Sequence, residues 1–167
     1  MRVWRIYNHQ APYAQKPDFD PLSGLGGLAH AARWNKPGHP ILYAAANASL
    51  ATLEMVVHVR PDLFGERTLL ELELPSETEL EKVSEQAFIQ LLRNAPKGDL
   101  EAKTREFGST WLRERRSLVL EVPSFVMPIE RNYLLNPLHP EFAKVEVLRR
   151  ELVTLPPRSY GHRKSKI

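Results

Sequence analysis

Arg33, Tyr43 and Glu54 supply a cation, a phenol and a carboxylate at intervals of ten and eleven residues. A guanidinium matches phosphate oxygens bidentately. A tyrosine ring stacks on a base and its hydroxyl donates a hydrogen bond. A fixed carboxylate stabilises positive charge that develops in a transition state. The trio therefore suits a pocket for a small molecule carrying phosphate, base and sugar. Taken singly, each has a plainer reading: a surface ion pair for Arg33, a core ring for Tyr43, and a stripe-edge or arginine-paired acid for Glu54. Helical position singles out Glu54. On a helix from about Ala48 to Val59 it lies four residues after Leu50 and three before Val57, so it shares the apolar stripe Leu50, Leu53 and Val57. A carboxylate there must be paired, hydrogen-bonded or protonated, and functional sites often place acids this way.

The elements that must position these groups are short. Val3–Tyr7 reads as an opening strand, and residues 8–29 as a long irregular stretch broken by Pro12, Pro17, Pro21, Gly24, Gly26 and Gly27. Its Ser23-Gly24-Leu25-Gly26-Gly27 run lacks the Lys-Ser/Thr ending of a phosphate-binding loop. Residues 40–45 form a second strand, and Asn47 or Ser49 caps the Glu54 helix, which Pro61 ends. Strands follow at 68–74, 117–122, 132–136 and about 145–155. Helices are expected at 85–94, with Phe88, Leu91 and Leu92 inward, and from Asp99 or Leu100 to Arg116, interrupted by Gly108. Helices and strands interleave without regular alternation, which predicts a single mixed α+β domain.

Composition narrows the chemistry. A chain of 167 residues with 43% hydrophobic and 26% charged residues has the make-up of one ordinary globular domain. No apolar run approaches the roughly 18–20 residues that cross a bilayer, and no signal peptide is visible, so a cytoplasmic location is expected. The absence of cysteine removes disulfides and thiol nucleophiles. The six histidines show no metal-ligand spacing, so no metal site is expected. Ser124, after Val122-Pro123, sits where it can hydrogen-bond a substrate or turn the chain; no G-x-S-x-G surrounds it. After Glu151 the chain carries Arg158, Arg163, Lys164 and Lys166 and no acid, which reads as a solvated tail over 156–167 following a domain over 1–155. A basic tail and a net charge of +3 also raise nucleic-acid binding or RNA cleavage, but no compact acid–base set or basic–aromatic face supports them. A pure interaction module is a further alternative, which an inward Glu54 argues against only weakly.

In order along the chain, the pieces Val3-Trp4-Arg5-Ile6, Arg33-Trp34-Asn35, Leu42-Tyr43-Ala44, Ala51-Thr52-Leu53-Glu54, Gly108-Ser109-Thr110-Trp111, Leu120-Glu121-Val122-Pro123-Ser124 and residues 132–140, ending Asn-Pro-Leu-His-Pro, resemble the RES-domain toxins of bacterial toxin–antitoxin pairs. The departure is Ala31-Ala32 before Arg33, where glycine-rich sequence is expected. The resemblance implies a fold similar to ADP-ribosyltransferases and degradation of NAD as substrate, with no cofactor. It implies Arg33, Tyr43, Glu54 and Ser124 as pocket residues, and Arg5 is a further candidate for a phosphate contact. Phosphate, water or a protein side chain would be the acceptor. It also implies an Xre-type helix-turn-helix antitoxin as partner, with nucleic acid reached only through that antitoxin and a homodimer within the complex as an option.

Overall fold

The structure, a computed structural model, describes residues 1–59 and 65–154. Strands β1 (Arg2–Tyr7), β2 (Leu42–Ala45), β3 (Glu66–Glu73), β4 (Leu80–Lys82), β5 (Val119–Pro123), β6 (Arg131–Leu135) and β7 (Glu146–Thr154) form one sheet in the order β4-β5-β6-β2-β1-β3-β7. Every neighbouring pair is antiparallel except β4 and β5. Helices α1 (Gly26–Ala29), α2 (Ala48–His58), α3 (Glu85–Arg93) and α4 (Ala102–Glu114) complete the α+β domain. Three-residue β4 was not legible in the sequence, because so short an edge segment carries no period. Pro61 as a helix stop, Leu155 as a strand end and the basic tail lie outside the described residues.

Alternation along the central strands sends side chains to two faces. One face carries Val3, Tyr7, Leu42, Ala44, Leu70 and Leu72, and the loop after β1 lays Ala14, Phe19 and Leu22 against it. The other face is divided. Ile41, Leu120, Val122 and Leu134 pack with Phe88 of α3 and with Trp111 and Leu112 of α4. Ala45 and Leu69 pack with Leu50 and Ala51 of α2. A cleft remains between these two clusters.

Local chemistry places α2 over the central strands. Asn47 is the N-cap, its Oδ1 accepting the Leu50 N–H at 2.8 Å. Its buried residues are Leu50 and Ala51, and Glu54, Met55 and His58 continue that line along the cleft. Val57 is 50% exposed, so the stripe expected through Leu50, Leu53 and Val57 is rotated. The side facing the sheet is the one with Ala51, whose small side chain admits close approach.

Gly108 does not interrupt α4. The helix is continuous from Ala102 to Glu114 and ends at Arg115 in the left-handed conformation. A Cβ on Gly108 would stand 2.0 Å from the carbonyl oxygen of Trp34 and 2.9 Å from its carbonyl carbon. The glycine is a contact surface, letting α4 press against the backbone that carries Arg33.

Candidate active site

The cleft is a cavity of about 540 Å³ lined by residues of β1, β2, α2, β5 and β6 and of the turns at Arg33 and Phe125. That volume lies within the few hundred to 1,000 Å³ typical of small-molecule sites. Its walls are mainly apolar, with Arg5, Arg33, Glu54, His58, Glu101 and Asn132 as polar members.

Glu54 enters from the second turn of α2. Its Oε1 accepts two hydrogen bonds, from Ser124 Oγ at 2.7 Å and from Asn132 Nδ2 at 2.5 Å. Both donors come from the β5–β6 unit: Ser124 directly follows β5, and Asn132 lies in β6 between Ala45 of β2 and Val122 of β5. Ser124 Oγ in turn accepts the Met127 N–H at 3.0 Å, so its proton is directed to Glu54. Among the described residues none hydrogen-bonds Glu54 Oε2. The carboxylate is thus held through one oxygen, and Glu54 lines the cavity.

Ser124 itself is fully buried and does not line the cavity. Its hydroxyl is engaged by Glu54 and the Met127 N–H, so it stands behind the carboxylate, not on the cavity wall. Strand end and carboxylate meet only after folding, 70 residues apart in sequence.

Arg33 occupies a tight turn closed by paired hydrogen bonds between Ala32 and Asn35, at 3.0 and 3.3 Å. No residue from 31 to 35 has a positive φ, so Ala31-Ala32 serve here without glycine. The guanidinium pairs with Glu101 at 3.1 Å and lies 3.7 Å from the centroid of the Phe125 ring, a cation–π contact. Glu101 also receives Arg105 Nη1 at 2.8 Å. Arg33 is therefore fixed on two sides, with its remaining donors available to an anion.

Tyr43 anchors that same turn. Its hydroxyl donates to Asn35 Oδ1 at 2.8 Å and accepts the Trp34 N–H at 3.3 Å. Burial pushes the phenol well above its ordinary value of 10.0, opposed by the Trp34 hydrogen bond. The hydroxyl is thus committed to the protein, and what Tyr43 offers a ligand is its ring.

Arg5 lies where β1 and β2 share a single paired position, Trp4 with Ala45. Its Nη1 donates to the Tyr43 carbonyl at 3.2 Å and its Nε to the Pro21 carbonyl at 3.1 Å. Among the described residues no carboxylate pairs with it. Burial lowers its pKa below the ordinary guanidinium value, partly offset by Tyr13, Tyr7 and Asp20. Arg5 is thus a guanidinium with carbonyl partners at the cavity wall.

The fold therefore gathers Arg5, Arg33, Tyr43 and Glu54 around one cavity and places Ser124 behind it. Sequence reasoning missed Asn132, Phe125 and Glu101. Asn132 had a signal: it alternates with Leu134 on a strand, and both line the cavity, so it is a polar side chain on an inward face, as Glu54 is. Phe125 and Glu101 sit outside regular elements, where no period marks them.

Residues 2–156 match the RES domain family. A "Prs ADP-ribosylating toxin" from Sphingobium sp. (strain YBL2) is 39% identical over 143 residues, covering 83% of each chain. A protein named "Toxin Res" from Pseudomonas putida (strain KT2440) is 38% identical over 152 residues, covering 88% of this chain and 93% of that one. A chain of the M. tuberculosis MbcT–MbcA toxin–antitoxin complex shares the fold at a TM-score of 0.66 and 14% identity, over 92% of this chain and 84% of its own.

Proposed function

Because the chain belongs to the RES domain family, we propose that it is the toxin of a toxin–antitoxin system and cleaves the nicotinamide–ribose bond of NAD, with phosphate or water as acceptor. The observation that carries this reading is Glu54: a carboxylate held through one oxygen by Ser124 and Asn132, beside a cavity that also contains Arg5 and Arg33.

The chemistry needs only one such acid. Nicotinamide is cationic while attached, so the C1′–N bond breaks with its electron pair passing to the ring nitrogen, and the base leaves neutral without a proton. The ribose is left with oxocarbenium character, as in glycoside hydrolysis. A preorganised carboxylate stabilises that charge. An oxygen of phosphate or water then bonds to C1′; phosphate gives ADP-ribose phosphate, and water gives ADP-ribose after losing a proton to solvent. Arg5 and Arg33 bind the pyrophosphate or the incoming phosphate, and the Tyr43 ring packs on nicotinamide or ribose.

A second reading keeps the pocket and changes the acceptor to a protein side chain. The name of the Sphingobium relative favours it. For the partner, an Xre-type antitoxin fits the solved neighbour's occurrence in a toxin–antitoxin complex. The deciding experiment incubates purified protein with NAD, with and without phosphate, and identifies products by mass. A parallel arm uses labelled NAD and lysate. Free ADP-ribose or its phosphate supports small-molecule chemistry; label on a protein band supports transfer. Glu54→Gln, folded, is expected to lose activity by on the order of 10²–10³, and full turnover by that variant removes Glu54 from the reaction.

A further inference from the structure

Asn132 is in an unusual position for a stabilising residue. Its Nδ2 donates to Glu54 Oε1, while its Oδ1 is buried and has no hydrogen-bond partner among the described residues. Turning the amide over would set its oxygen against the carboxylate, so Glu54 dictates the orientation. Buried acceptors without partners are rare in native proteins, and one that persists calls for a reason. The bond that holds the amide there is the charge-assisted one to Glu54. The backbone beneath it is rigid, because β6 is an interior strand paired on both sides.

We propose that Asn132 is a positioning residue for the reaction: with Ser124 it clamps Glu54 Oε1 so that Oε2 alone faces the substrate. The proposal rests on the NAD reading above. Two donors on one oxygen, from the turn after β5 and from β6, fix both rotation and tilt of the carboxyl group. With either donor removed, the group swings about the remaining one. The Ser124 clamp is braced by the Met127 N–H, and the Asn132 clamp by the sheet. Displacing a catalytic group by about 1 Å costs on the order of 100-fold in rate.

The test compares wild type, Asn132→Leu and Asn132→Asp for NAD consumption and thermal unfolding. Leucine keeps the branched shape, though it is bulkier, and removes both the donor and the acceptor. It is expected to lower kcat per folded molecule roughly 10- to 100-fold and to leave KM near wild type, because the lost interaction acts through Glu54. Aspartate is nearly isosteric but replaces the donor with a second carboxyl group, and is expected to lower kcat further. Wild-type kcat in both variants overturns the proposal. So does a fall in thermal midpoint with kcat per folded molecule retained, which would make Asn132 merely structural. A wild type that leaves NAD intact instead defeats the NAD reading, and this proposal with it.

Discussion

Gly108→Ala tests the link between helix packing and the site. On an isolated helix the change gains about 0.8–1.0 kcal/mol, because alanine is the better helix former. Here the sign reverses. The new methyl would sit 2.0 Å from the Trp34 carbonyl oxygen and 3.2 Å from the Trp34 Cβ. Ordinary contact begins near 3.4 Å, so α4 or the Trp34 turn must move by more than 1 Å. The opposing atoms are backbone, not the yielding end of a side chain. Overpacking of this kind costs about 1–3 kcal/mol or more. A 2.0 Å approach to backbone belongs at the upper end of that range, so against the propensity gain a net loss of about 2 kcal/mol results, which for a domain of this size lowers the thermal midpoint by roughly 4–8 °C. The displaced backbone carries Arg33 and holds the Tyr43 hydroxyl, so activity should fall by on the order of 100-fold as well. Thermal denaturation followed by circular dichroism, with NAD consumption measured well below the transition, reads both effects. A Gly108→Ala protein as stable as wild type or more so would refute the close-approach argument.

Two further outcomes follow from the site. Tyr43→Phe removes the hydroxyl that holds Asn35 and the Trp34 N–H, and should cost about 1–3 kcal/mol by leaving those groups unpaired. It should also alter alkaline unfolding. The folded pKa of Tyr43 lies above 10.0, so above about pH 10 the unfolded state releases its proton first and stability falls as pH rises. That part of the decline should disappear in the phenylalanine variant, as pH-dependent thermal melts would reveal. Arg33→Lys keeps the charge but loses the planar fork that faces Phe125 and Glu101. A raised KM for NAD is expected in steady-state kinetics, and an unchanged KM would count against Arg33 as an anchor.

Much of the fold was readable because it rests on local rules. The β-branched and aromatic run of β1, the Asn47 cap of α2 and the amphipathic α3 each occupy their expected ranges to within a few residues. Failures occurred where tertiary contact overrode a local preference. Gly108 is a weak helix residue in isolation, yet the needs of the Trp34 backbone make it the residue that fits. Val57 belongs to an apolar spacing but faces outward, because the orientation of α2 on the sheet is not encoded in its own period.

The sequence by itself determined which chemical groups exist and which lie on helices, strands or turns, with Glu54 on α2. Hydrophobic period and capping carry that information over a few residues. Only the tertiary structure decided what each group touches. It set Ser124 and Asn132 on the same oxygen of Glu54, from 70 and 78 residues away. It committed the Tyr43 hydroxyl to the Arg33 turn, and left Arg5 with carbonyl partners instead of a carboxylate. Hydrogen bonds act over about 3 Å, and contacts between distant parts of the chain at that range exist only once the sheet order has been fixed.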